Sequence, residues 1–267
     1  MFNMVKADIR RIFRGKGVWI TLALFLVMSA MNTAVLYANI EGQQMGGITI
    51  TVGEEADRTL PADVEIIGGN VPIMMMGNAE LVLIFSLPFV IFIVATDFSS
   101  STVKNVLSSG ASRLNYYISK LIVCWLFALL LYLAHLTIPA LVITLANGFG
   151  DGFAYGTLGA FLGQILFVLA ITALGVFLAF TTKKSAAVIG FYLALMFLPP
   201  IIIMLLMQIN ERLLNLLRYD LVHNFVVFAN YTAHLNTDII RAISIGFGVL
   251  IVSIIGGMAL FKKAEIK

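Results

Sequence analysis

Charge is what this chain has least of. Only 12% of its 267 residues are Asp, Glu, Lys or Arg, about half the ~25% usual in soluble domains, while 60% are hydrophobic and the mean hydropathy is +1.00. A soluble core of this size could not hide 20 phenylalanines and 12 methionines. The chain therefore reads as an integral membrane protein. Cysteine is nearly missing as well: Cys124 lies inside an apolar run, which excludes a disulfide framework and leaves a packing role. The histidines, His135, His223 and His234, are scattered, with no HExxH to hold a metal. No GxxxxGK[ST] is present to cradle phosphates. No Asp or Glu falls mid-way along an apolar run, since Glu80 and Asp97 sit at run ends. That disfavours a proton- or ion-coupled carrier acting alone. The net charge of +3 and pI near 9.0 do not argue for a nucleic-acid partner, because membrane proteins gather Lys and Arg on one face.

What the chain does have is a series of apolar runs long enough to cross a hydrocarbon core of ~30 Å. We place six spans at about 18–38, 79–96, 121–146, 156–180, 186–207 and 240–261, forming one all-α transmembrane domain. Before the first span, Val5, Ile9, Ile12 and Phe13 share one helical face, and Lys6, Arg10, Arg11 and Arg14 occupy much of the rest. This pattern suits an amphipathic elbow helix in the membrane interface, broken at Gly15 and Gly17; a plain positive anchor for span one is the other reading. The first apolar run is too long for a typical signal-peptide core of roughly 7–15 residues, so it is expected to be retained.

Residues 39–78 form a long acidic loop, with a possible strand at Gly47–Val52 and an embedded approach at Val71–Met76. Pro88 is expected to kink span two. Span three contains His135, which is either functional or part of a satisfied interhelical hydrogen bond. Gly156, Gly159, Ala160 and Gly163 offer span four a close-packing face. Pro199–Pro200 should bend or break span five. Residues 208–236 read as an outer interfacial helix followed by a re-entrant or surface-lying piece, because Phe225–Tyr231 is apolar but too short to cross.

The cations orient the chain. One face holds Lys6, Arg10, Arg11, Arg14, Lys16, Lys104, Arg113, Lys120, Lys183, Lys184, Lys262, Lys263 and Lys267; the other holds Arg58, Arg212, Arg218 and Arg241. By the positive-inside rule both termini and the polar interlude 97–120, DFSSSTVKNVLSSGASRLNYYISK, lie in the cytoplasm.

That interlude carries a family resemblance. Asp97, Ser101–Thr102, Val106–Leu107, Ser112–Arg113 and Lys120 match the acidic residue, Gly-Thr pair, leucine-containing turn, Ser-Arg pair and span-opening lysine often seen in bacterial type-2 ABC exporter permeases. Asp97 stands for the more usual Glu and Ser101 for the usual Gly. The elbow helix, the outer loop, the six spans and the outer piece between spans five and six extend the resemblance over nearly the whole chain. In length the chain resembles permeases of the antimicrobial-peptide and bacteriocin-immunity group. Leu107–Gly110 also resembles the signature loop of ABC ATPases, but without a phosphate loop that likeness is coincidental.

The resemblance implies a non-enzymatic subunit of the bacterial cytoplasmic membrane that moves an amphipathic or hydrophobic substrate, such as a peptide, drug or lipid, out of the cell. It further implies two cytoplasmic ATPases that carry ATP and Mg, and a second permease, identical or homologous. Thr102–Gly110 would be the coupling helix, and Asp97, Thr102, Lys104, Leu107, Arg113, Lys120, Lys183 and Lys184 are the residues assigned to ATPase coupling. Asp97 would either cap the following helix or also pair with Lys104 or Arg113. The alternative function is a non-transporting immunity or sensing protein that binds a peptide at its acidic outer loop.

Overall fold

The computed structural model describes residues 2–44, 67–230 and 235–264, and among them every regular element is helical. The acidic stretch of the outer loop and the Gly47–Val52 segment lie outside the described residues. Helix α1 is Phe2–Arg14; it ends at Gly15 and α2, Lys16–Gln44, follows at once. A short α3, Val71–Met76, precedes α4, Glu80–Val90, which passes through a π turn at Ile91–Ala95 into α5, Thr96–Ser99. Then come α6, Thr102–Ser108; α7, Arg113–Asn147; α8, Thr157–Thr182; and α9, Ser185–Met207. A 3₁₀ helix at Glu211–Tyr219, α10 at Leu221–Val227, a 3₁₀ turn at Phe228–Asn230 and α11 at Thr237–Lys263 complete the order.

Six of these helical stretches are long and apolar enough to span a membrane: those in α2, α4–α5, α7, α8, α9 and α11. Half or more of the apolar stretch is buried in α4–α5, α7 and α8, against 17% in both α9 and α11. The first three are the centre of the bundle, and the others turn Phe191, Phe197, Ile201, Leu205, Phe247 and Val252 outward. Such surface is stable only against lipid or another apolar protein face.

Local chemistry explains the boundaries. Ser112 caps α7 by accepting from the Asn115 N–H at 3.2 Å, so this helix starts well before 121 and Lys120 lies two turns inside it. Asn236 caps α11 in the same way, accepting from Ile239 N–H at 2.8 Å. Of the bend or break expected at Pro199–Pro200, the break is absent: α9 continues as one helix over Ser185–Met207. The small face of α8 is closely packed at Gly163, where a Cβ would lie 2.1 Å from the Phe228 ring; the glycine makes room for the 3₁₀ turn.

The two ends of the bundle differ. At one end Gly68 N–H donates to Gly148 O at 2.9 Å and Gly69 N–H to Phe149 O at 3.0 Å. A Cβ on Gly69 would fall 1.9 Å from the Gly152 carbonyl oxygen, so only glycine permits this approach. At the other end sit α1, the turns around α6, the Lys183–Lys184 turn and the C-terminus of α11, brought together by the contacts described next. We call this the basic end.

Candidate functional site: a buried charge quartet at the basic end

Among the cations of α1 is one carboxylate, Asp8, and it faces inward. The packed face is Met4, Val5, Asp8, Ile9 and Ile12, while Phe13 sits at its edge, 49% exposed with its ring 5.9 Å from that of Phe127. A carboxylate in that position requires a cation on the surface it meets. Lys120 of α7, only 3% exposed, supplies it: its Nζ donates to Asp8 Oδ1 at 2.8 Å and Oδ2 at 2.9 Å. The same ammonium lies 2.6 Å from Asp97 Oδ2 and 5.1 Å from the Tyr116 ring centroid. Asp97, fully buried, is also bonded by the Arg11 guanidinium and accepts from the Tyr116 hydroxyl at 2.5 Å. Arg11 lies 3.4 Å from Asp8, closing the ring.

Two carboxylates and two cations leave the quartet neutral. That neutrality is what makes burial of Asp8, Asp97 and Lys120 tolerable, since each lone ion would cost several kcal/mol; Arg11 reaches them from the surface, its side chain 40% exposed. Burial pushes the Asp8 carboxyl above its ordinary value, against the opposing pull of Lys120 and Arg11.

The π turn contributes to the same site. Widening at Ile91–Ala95 frees carbonyls, and Arg11 donates to Phe92 O and Ile93 O, both at 3.1 Å. Arg11 therefore joins α1 to the end of the second span through backbone and side chain together. Below the quartet an aromatic layer binds four elements. Phe98 meets Phe180 at 5.5 Å, and Phe180 meets both Tyr117 and Phe261 at 4.7 Å. These edge and tilted arrangements add to the burial energy of the rings.

The expected partners of Asp97 are corrected. Lys104 projects from the exposed side of α6, and Arg113 caps the last turn of α11 by donating to Phe261 O, Lys262 O and Ala264 O at 3.0, 2.9 and 2.7 Å. Asp97 is not an N-cap either: it lies within α5, and the N-cap position of α6 is Ser101, with no side-chain cap. Thr102 shares a 2.8 Å hydroxyl contact with Ser100, and Leu107 packs partly against the core, as do Val103 and Val106. Lys183 closes α8 in a left-handed conformation, φ 57°, and Lys184 follows in extended conformation before α9. Of the eight sequence candidates, the structure brings only Asp97 and Lys120 into one cluster. Asp8, Arg11 and Tyr116, which complete it, were not among the candidates. The signal available for Asp8 was its solitude among cations next to the apolar positions of α1.

Ser101 also has φ 57°. A side chain in this left-handed region costs roughly 1–2 kcal/mol, and glycine avoids most of it. Ser101→Gly should therefore raise stability by up to about 1 kcal/mol, read as a shifted midpoint in detergent unfolding. An unchanged or lowered midpoint would show that this turn is not under strain.

A second polar cluster lies toward the opposite end. Tyr132 OH donates to Gln164 Oε1 at 2.9 Å, and Gln164 Nε2 donates to Met76 O at 2.8 Å and Phe225 O at 3.0 Å. His135 Nε2 is 3.2 Å from Met75 O, which fits a proton on Nε2; its Nδ1 has no hydrogen-bond partner among the described residues. His135 is thus bonded to the short α3 rather than to another span. Cys124 is buried and packs in the core. Among the described residues no group of three or more His, Cys, Asp or Glu could hold a metal ion. No family model matches this chain, and no curated protein matches it.

Proposed function

We propose that the chain is the membrane-spanning subunit of an ATP-driven exporter in a bacterial cytoplasmic membrane, with its basic end in the cytoplasm. The observation that carries this reading is the way the basic end is joined. The short α6 presents Lys104, Asn105 and Ser108 outward over a buried Val103, and the chain on either side of it is locked through Asp97 and Lys120 to α1. Such an arrangement suits a surface that receives a mechanical push. The excess of Lys and Arg at this end supports its cytoplasmic placement.

In this mechanism two cytoplasmic ATPases dock against α6, the Lys183–Lys184 turn and α1 of a pair of permeases. ATP and Mg are bound by the ATPases, which supply the hydrolysis. A push on α6 reaches α5 and α7 directly, and the quartet makes α1, and with it the entry to α2, follow. These four elements move as one body, which changes how the two permeases meet and moves an amphipathic or hydrophobic substrate outward. α1 acts as the interfacial elbow, and the 3₁₀ and α10 segments lie at the outer surface.

The test is co-purification. Lys104→Glu combined with Asn105→Asp should reduce capture of the ATPase by on the order of tenfold and remove its stimulation, with the fold intact, because docking surfaces of this kind rely on charge complementarity. Substrate transport by the purified chain in liposomes, without ATPase or ATP, would reject the exporter reading.

A further inference from the structure

With Asp8 and Asp97 satisfied by Lys120 and Arg11, the remaining α1 cations have no internal role. Among the described residues no carboxylate pairs with Lys6, Arg10 or Arg14. Their spacing of i, i+4 and i+8 stacks them in one stripe along the outward side of the helix. The stripe borders an open groove of about 670 Å³, lined by side chains of α1 and by Gly15 alone. Ala7 and Gly15 line it together with Lys6, Arg10, Arg11 and Arg14. The reason for a groove is local: Ala7 has a single methyl, with Arg10 and Arg11 one turn later and Lys6 beside it. Apolar surface adjoins the site, since Phe13, Trp19 and Ile20 are about half exposed or more, and the Trp19 indole N–H is held on Phe13 O at 3.0 Å.

We infer that this groove is a binding site for the headgroup of an anionic phospholipid, its phosphate seated over Ala7 among Lys6, Arg10 and Arg14, with its acyl chains along Phe13 and the start of α2. Charge complementarity requires an anion. The choice of lipid rests on the aromatic and aliphatic border, which an acyl chain covers and a soluble anion leaves wet. Arg11 links the site to the quartet, because the same guanidinium lines the groove and bonds Asp97. The inference does not rest on the exporter reading; it requires only that the apolar helices be embedded in a bilayer.

The test uses the full chain carrying Trp125→Phe, which leaves Trp19 as its sole tryptophan, in nanodiscs of phosphatidylcholine. A minor fraction of either phosphatidylglycerol or phosphatidylcholine is brominated to quench fluorescence. Brominated phosphatidylglycerol should quench Trp19 more strongly, with a local enrichment of about fivefold for each cation engaged. The preference should fall to near one in Lys6→Gln/Arg10→Gln/Arg14→Gln. It should also fall in Ala7→Leu, which fills the groove without changing charge. Equal quenching by the two lipids would overturn the inference, as would a preference that survives the triple substitution. A preference unchanged by Ala7→Leu would mean diffuse attraction without a site. Loss of the preference on adding inorganic phosphate or a soluble acidic peptide would assign the groove to a soluble ligand. If Trp125→Phe does not fold, native mass spectrometry of the wild-type chain and Ala7→Leu reads the same preference as retained phosphatidylglycerol. None of these measurements involves an ATPase, so the site and the exporter reading fail separately.

Discussion

Lys120→Met should destabilise the folded chain by about 3–5 kcal/mol, measured by detergent unfolding in mixed micelles. Methionine keeps the length of the side chain and removes its charge. Asp8 and Asp97 would then face each other with Arg11 as the only cation, and the two hydrogen bonds at 2.8 and 2.9 Å to Asp8 would be lost. The cost comes from the stranded carboxylate rather than from any high intrinsic worth of the pair. Adding Asp8→Leu should therefore recover most of the stability, because Asp97 keeps Arg11 and Tyr116 as partners. If Lys120→Met costs less than about 1 kcal/mol, or if Asp8→Leu deepens the loss, the quartet is not a closed set of partners.

Gln164→Leu should have the second largest effect. The substitution keeps the bulk of the side chain and removes three hydrogen bonds at once, leaving Met76 O, Phe225 O and the Tyr132 hydroxyl without their partner. At roughly 1–3 kcal/mol for each buried polar group left unmade, the total is about 3 kcal/mol or more. The damage should be local. Hydrogen exchange should rise in α3 and α10, the two short helices that Gln164 joins, while α7 and α8 stay protected. Unchanged exchange in both segments would show that packing around Met75, Phe225 and Phe228 holds them without the amide.

The six apolar helices were legible because each is long and nearly free of charge, and that signal is summed over about twenty residues. The caps at Ser112 and Asn236 are local and could also be read. The quartet was not legible, because Asp8 and Arg11 meet Lys120 and Asp97 across 112 and 86 residues of sequence and no periodicity connects them. The interlude 97–120 supplies Asp97, Tyr116 and Lys120 to the cluster, yet proximity in sequence suggested Lys104 and Arg113 for Asp97. The true partners come from α1 and from two turns inside α7, where an early helix start had carried Lys120 off the loop. Of the four apolar positions read as one face of α1, Val5, Ile9 and Ile12 pack inward and Asp8 joins them to meet Lys120, while Phe13 lies at the edge of that face, half exposed beside Phe127. Pro199 and Pro200 remove two donors, yet α9 stays one helix with two carbonyls released.

The π turn at Ile91–Ala95 has a consequence for aim. An α-helix turns about 100° per residue, and a π turn holds one residue more than an α turn in the same advance along the axis. Taking one residue out of 91–95 would let the second span run as an unbroken α-helix and would rotate everything after it by about 100°. Asp97 would then point away from Lys120, with every apolar residue of the span still within an apolar run. The extra residue is thus a setting of direction: the length of the span serves the bilayer, and its phase serves the charge at its end.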